Sequence, residues 1–299
     1  MIGLCTDSNA QLPPDLRERY GVEVVPLTVT VDGVDHLEWV DLDADAFYAF
    51  FEDGAAPVVA TAAPSPGRFV AAYEALAERG ATEILSIHIG SAISATLNAA
   101  RLAARDAPVP VRLVDTATAS FGVACCVWEA AEAVAAGACL EEAAAVAEAV
   151  AARTGNVFVV QAVDLVRRGG RMGAAAREAL EDDAVPVLRL LDGSYQPVAQ
   201  VQSVDEAADV MAATVLGGGD RLRVGISVAD AAGAPVREAL ERRLAGAPQI
   251  LDMARYRVGP SVGVHTGPGT AGAMWYSTSS ASEPEVPRRA DGAAGGQRS

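Results

Sequence analysis

The chain contains no lysine, so its 23 Lys+Arg positions are all arginine, and it carries three histidines, four cysteines and 5% aromatic residues in 299. Arginine stays charged at any working pH, so the basic spots that exist cannot be switched off by titration. The cysteines, Cys5, Cys125, Cys126 and Cys139, form no CxxC and have no paired histidine spacing. That argues against a disulfide framework and against a zinc site. Positive charge is in short supply: the formal charge of −16 repels nucleic acid and anionic membrane surfaces, which bind proteins chiefly through basic side chains. Long uninterrupted apolar runs are also missing. The Ala-rich stretch from Val123 to Ala152 is broken by Glu129, Glu132, Glu141, Glu142 and Glu148, and reads as two soluble helices with no stable membrane insertion. The N-terminus has no basic region or cleavage site ahead of its first apolar run, so the chain is expected to be unprocessed and cytoplasmic. No P-loop, no GxSxG elbow and no metal-ligand spacing occurs. The expectation is therefore a protein with no catalytic residue, no metal and no cofactor of its own.

What is present is an apolar fraction of 51% over a length that suits about two domains. Strand-like runs at Ile2 to Cys5, Val22 to Val31, Thr82 to Ile89 and Val109 to Val114 alternate with helical stretches near Pro13 to Arg19, Asp43 to Phe51, Ser65 to Gly80 and Ser94 to Arg105. Strands alternating with helices imply a parallel sheet. After about residue 160 the texture changes: short helices follow at Val163 to Arg171 and Ala174 to Glu181. Strand-like runs then alternate with helices at Val204 to Val215 and Pro235 to Ala245, and Asp192-Gly193 signals an antiparallel hairpin. The expected division is an N-terminal α/β domain over 1–160, a C-terminal α/β domain over 161–278 with a mixed or antiparallel sheet, and a disordered tail over 279–299, where apolar content and periodicity are lost.

Three distant segments each end in a group able to hold one negative charge. Thr61 precedes the helix start at Ser65-Pro66, and Ser94 lies in a hydroxyl-rich turn at the carboxyl end of a parallel strand, where open α/β sheets bind their ligands. His265 sits in a frame of Gly263, Gly267, Pro268 and Gly269, read as a packed turn that holds its imidazole rigidly. Two hydroxyls and an imidazole among apolar neighbours describe a receptor for a carboxylic acid with an oily tail. His88, inside a strand, reads as structural. Gly267 to Gly272 spell GxGxxG, but a strand-like run follows where a dinucleotide fingerprint needs a helix. Arg167 to Arg171 is the densest basic spot, readable either as a solvated helix end or as a docking point for an acidic partner through Arg171.

These residues resemble the DegV family of bacterial fatty-acid-binding proteins that serve fatty acid kinases. The likeness runs through Thr6-Asp7-Ser8, the T-x-x-P-S-P-G at Thr61, the S-x-x-S-x-T at Ser91, Val114-Asp115, the V-D-x-V-x-x-G-G-R at Val163 and the H-T-G-P-G at His265. It implies two α/β domains, the first a three-layer unit on a parallel sheet, with the ligand between them. It also implies a long-chain fatty acid whose carboxylate is held by Thr61, Ser94 and His265, with Ala62 and Ala95 also among the ligand-binding residues, and which is presented to a separate ATP-dependent kinase subunit. The sequence departs from the family pattern at Ala62-Ala63, Gly90, Ala95, Gly173 and Gln202. Ala95 carries a methyl group where backbone must approach the ligand, which is harmless only at helical φ. The alternatives are a small-ketone-binding subunit like that of dihydroxyacetone kinases, and a lipid reservoir or regulator with no kinase.

Overall fold

The computed structural model describes residues 1–278 apart from 179, 182 and 183. The segment 279–299, expected to be a disordered tail, lies outside the described residues. The first half of the chain runs β1 (Ile2–Asp7), α1 (Pro14–Tyr20), β2 (Glu23–Val25), β3 (Thr28–Val31), β4 (Val34–Leu37), α2 (Ala44–Ala49), β5 (Val59–Ala62), α3 (Pro66–Glu78), β6 (Glu83–His88), α4 (Thr96–Ala103), β7 (Val111–Asp115), α5 (Phe121–Ala135) and α6 (Leu140–Ala151). The second half runs β8 (Thr154–Val159), α7 (Val163–Arg168), α8 (Ala174–Glu178), β9 (Val185–Leu191), β10 (Ser194–Val201), α9 (Val204–Leu216), β11 (Leu222–Val228), α10 (Ala234–Leu244), β12 (Ile250–Arg257), α11 (Pro260–Thr266) and β13 (Ala271–Ser277).

Sheet order follows from burial. β1 and β6 are buried on both faces and form the centre of a parallel sheet ordered β2-β1-β6-β7, as continuous apolar runs require. Helix α3 starts where Ser65 caps the Arg68 N–H and Pro66 opens the first turn, and it covers one face through Phe69, Tyr73 and Leu76. The Ala-rich helices α5 and α6 cover the other face, Ala130, Ala143, Ala144 and Ala147 being small enough for close approach. The result is the expected three-layer unit.

The second sheet is mixed, ordered β10-β9-β8-β13-β11-β12, with β11 and β12 parallel and the other pairs antiparallel. Asp192 (φ 49°) and Gly193 (φ 74°) close the β9-β10 hairpin, as that dipeptide predicted. Helix α5 also packs on this sheet. Phe121 lies where a Cβ on Gly225 would stand 2.3 Å from its ring, so only glycine fits on β11 there. Glu129 on α5 accepts hydrogen bonds from Tyr276 at 2.5 Å and from Arg223. One helix thus serves both sheets.

Two expectations need correcting. The β-branched run Val22 to Val31 is not one strand: Pro26 breaks it into β2, in the parallel sheet, and β3, the centre of a small antiparallel sheet ordered β4-β3-β5. The turn expected around His265 is the end of helix α11, which begins at Pro260 and packs on the small sheet through Val264 beside Val29 and Phe47. The boundary expected near 160 falls just after β8, and β8 pairs with β13 in the second sheet. We propose that the second unit begins at about Thr154.

Helix α11 is joined to the N-terminal layer by a buried polar seam. Glu38 is fully buried and its carboxylate accepts from Ser8 Oγ at 2.5 Å, from the Ser261 N–H at 2.8 Å and from Gln11 Nε2 at 3.3 Å. Gln11 in turn accepts the Gly259 N–H at 2.8 Å, so two amides at the start of α11 are satisfied from across the domain boundary. Burial pushes the Glu38 carboxyl above its ordinary range despite those hydrogen bonds. Glu38→Ala would leave these donors without an acceptor, and a loss of about 3 kcal/mol of stability is expected in urea unfolding; a change below about 0.5 kcal/mol would contradict the seam's role.

Candidate functional site

Thr61 lies on β5, opposite Val29 of β3, and its Oγ1 is 3.0 Å from Nε2 of His265 on α11. The pair exists because α11 packs against both strands, bringing together residues separated by 204 positions. The imidazole is largely buried, and its Nδ1 has no hydrogen-bond partner among the described residues. Burial, reinforced by the nearby Arg171 charge, lowers its pKa from 6.5 to about 3. His265 is therefore neutral at physiological pH. Neutral imidazole has one N–H, and an orphaned acceptor costs less than an orphaned donor, so the pattern fits Nε2–H donating to Thr61 with Nδ1 as a bare lone pair. Thr61 then keeps its own O–H for another acceptor.

The opposite wall is the turn after β6. The Gly90 carbonyl accepts from the Ile93 and Ser94 amides at 3.1 and 3.2 Å, and a Cβ at Gly90 would lie 2.8 Å from the Ala117 backbone. Asp115 at the end of β7 ties the turn down by accepting from Ser91 Oγ at 2.5 Å and from the Ser91 amide at 3.1 Å. Ser94 Oγ accepts the Thr96 N–H at 3.2 Å and lies 2.8 Å from the Thr96 hydroxyl. Ala95, the residue before α4, has φ −77° and ψ 0°, the helical conformation in which its methyl group is tolerated. Arg171 reaches the same wall: its guanidinium donates to the carbonyls of Gly169 at 2.8 Å and Ile93 at 3.4 Å. Its backbone carbonyl is pinned by the Tyr195 amide at 2.6 Å.

Thr61, Ser94, Arg171 and His265 line one cavity. Ala62 and Ala95 do not line it; both are exposed, next in sequence to residues that do. A second space adjoins it, and Ala119, Leu190, Tyr195 and Val262 line both. The second space is functionally apolar although Ser120, Asn156, Ser227, Thr266 and Thr270 border it. Asn156 bonds both backbone groups of Leu190, Ser227 donates to Gly272, Thr266 to Val262 and Thr270 to Thr266 and Gly267. Ser120 points its hydroxyl at Tyr256, 3.5 Å away. A polar space that carries one guanidinium therefore lies beside an apolar one.

Sequence reasoning missed Asn9, whose side chain accepts from the Ser120 amide at 2.9 Å and donates to Ser261 at 3.1 Å, linking three elements beside the polar end. It follows the Thr6-Asp7-Ser8 motif, and that adjacency was the available signal. Asp7, His88 and Ser86 form a hydrogen-bonded series at 2.9 and 2.6 Å that spells a nucleophilic triad, but all three are 0% exposed and Ser86 also bonds Tyr73. No substrate can reach it, so the set holds β1 to β6 instead of catalysing acyl transfer. Among the described residues no group of three His, Cys, Asp or Glu side chains is placed to hold a metal, and no helix is long and apolar enough to cross a membrane.

The sequence model of the DegV family of uncharacterised proteins matches residues 1–278. A DegV domain-containing protein of Streptomyces coelicolor is 36% identical over 280 residues, 91% of this chain and 97% of that one. A Mycobacterium tuberculosis relative is 34% identical over 273 residues, 89% and 94% of the respective chains. The structure of a DegV family protein from Thermus thermophilus, described by its fatty acid binding, superposes with a TM-score of 0.82 at 32% identity, covering 92% of this chain and 99% of the other. DegV of Bacillus subtilis, described as a fatty acid binding protein, shares the fold at TM-score 0.81 and 23% identity, covering 92% and 98%.

The depressed pKa of His265 fixes a pH dependence. The unfolded chain binds a proton near pH 6.5 that the folded site refuses down to about pH 3, so stability falls as pH drops through that window by about 1.4 kcal/mol per unit. Between pH 6.5 and 4.5 the native protein should lose about 2 kcal/mol more than His265→Leu in urea unfolding; parallel losses in the two proteins would place the ring in solvent.

Proposed function

The chain belongs to the DegV family, and from that premise we propose that it binds a long-chain fatty acid with the carboxylate at Thr61, Ser94 and His265 and the tail in the adjoining apolar space. The observation that supports this reading is the adjacency of the two cavities, which share Ala119, Leu190, Tyr195 and Val262: one offers two hydroxyls and a guanidinium, the other offers polar groups already satisfied within the protein. A small polar ketone has no use for the second space.

Each head-group residue has a distinct task. His265 donates from Nε2 to Thr61 and so aims the Thr61 O–H at one carboxylate oxygen. Ser94, with the Thr96 hydroxyl donating to it, directs its own O–H at the other. Arg171 supplies the positive charge, having five N–H donors of which the two carbonyl contacts use a part. A neutral imidazole suits this arrangement because it does not compete with Arg171 for the anion.

Magnitudes assign affinity to the tail. Roughly 15 buried methylenes at about 0.8 kcal/mol each give a gross gain of about 12 kcal/mol before the costs of association. A charge-assisted hydrogen bond contributes about 1.5 to 3 kcal/mol. The head group therefore orients the acid more than it holds it. An acid held with its carboxylate fixed is presented to a second protein, and we propose that this partner is an ATP-dependent fatty acid kinase that converts the carboxylate to an acyl phosphate. Support for that step is the family resemblance, with the arginine-rich segment ending at Arg171 beside the head-group cavity as the docking point.

The test is native mass spectrometry of freshly purified protein, with extraction of whatever lipid it carries. One fatty acid per chain is the expected result; a protein that carries none and takes up neither oleate nor palmitate rejects the reading. Ser94→Ala should weaken binding by about 10- to 100-fold while slowing transfer to a kinase further, and transfer at the native rate would remove Ser94 from the head-group site.

A further inference from the structure

A third space, an open groove, lies beside the apolar cavity, and Tyr256 is the residue that lines both. Tyr256 sits on β12, the edge of the mixed sheet, in register with Ser227, which borders the apolar cavity. Its ring stacks on Phe121 with centroids 4.8 Å apart and planes 16° from parallel. Its hydroxyl is 3.5 Å from Ser120 Oγ, so the ring is braced from α5 on one side and from its own strand on the other.

Beyond Tyr256 the lining is Leu12, Pro13, Pro14, Val24 and the ring of Trp39, which is 41% exposed. Three arginines rim this groove, but the two on β12 are engaged. Arg255 makes a bidentate pair with Glu241 at 2.7 Å for both contacts, and Arg257 pairs with Asp45 at 2.9 Å and donates to the Ala229 carbonyl at 2.9 Å. What the groove offers a ligand is therefore mainly apolar surface, and the Tyr256 ring is the wall it shares with the apolar cavity.

We propose that Tyr256 is the wall that ends the acyl tube and sets the longest fatty acid this protein accepts. The inference rests on the fatty-acid reading above. A chain that fits in front of the ring gains about four-fold in Kd per methylene; one that is longer must displace a ring stacked on Phe121 or leave its end unburied. The groove behind the ring gives a shortened side chain somewhere to send the extra methylenes.

The experiment titrates the native protein, Tyr256→Phe and Tyr256→Ala with the saturated acids from laurate to behenate, with thermal melts to verify folding. In the native protein affinity should rise with length and then stop rising. Tyr256→Phe keeps the ring and should keep that limit. Tyr256→Ala should move the limit to longer acids, raising the affinity for arachidate and behenate relative to palmitate by about 10-fold or more. If the alanine variant does not fold, Tyr256→Leu, which retains apolar bulk without the ring, carries the same expectation. A folded variant with the native limit overturns the assignment of Tyr256 while leaving the carrier reading intact. Failure of the native protein to bind any of the acids overturns both.

Discussion

The site depends on one docked helix. Helix α11 has seven residues, too few to hold its shape in water, and its stability comes from what it packs on. Its first turn is fixed by Glu38 and Gln11 through the amides of Ser261 and Gly259, its flank by Val264 against the small sheet, and Asn9 holds Ser261 from a third direction. His265 is in the last turn, so every constraint on the start of the helix becomes a constraint on the imidazole. An uncompensated carboxylate is a costly group to bury. Here it is satisfied by donors from both sides of the domain boundary, which makes the seam specific as well as tight.

That docking explains the electrostatics. Because α11 is covered on several sides, the imidazole loses solvent and stays neutral, and among the described residues Arg171 is the one cation that lines the cavity. The separation of labour is physical: a permanently charged guanidinium provides the field, while uncharged hydroxyls provide direction. On the proposed reading, the guanidinium and hydroxyls meet the carboxylate and the adjoining apolar space meets the hydrocarbon. The absence of lysine from the chain has a local echo, since no titratable ammonium can enter the head-group site.

The apolar space shows how a tube can be dry although hydroxyls and an amide border it. Each of those groups spends its hydrogen bonds on nearby backbone or side chain, so that methylenes meet filled valences. Helix α5 contributes to this by serving both sheets at once: Phe121 fills the place of a missing side chain at Gly225 and stacks on Tyr256.

Much of this was legible in the sequence. Alternating strands and helices predicted the parallel sheet, Asp192-Gly193 the hairpin and interrupted alanines the paired helices. Those signals are local, carried by periodicity and turn chemistry that a short window contains. Strand β5 and helix α11 were not legible. Thr61 is flanked by two alanines in a four-residue strand, and α11 holds a proline and a glycine in seven residues. Such segments have no strong preference of their own and take the shape their burial imposes. Glu38, between a leucine and a tryptophan on a strand end, reads as surface and is fully buried. The sequence alone determined which chemical groups are available. Only the tertiary structure decided that Thr61 and His265 meet at 3.0 Å, because that contact depends on a small sheet, a docked helix and a buried carboxylate that no local pattern encodes.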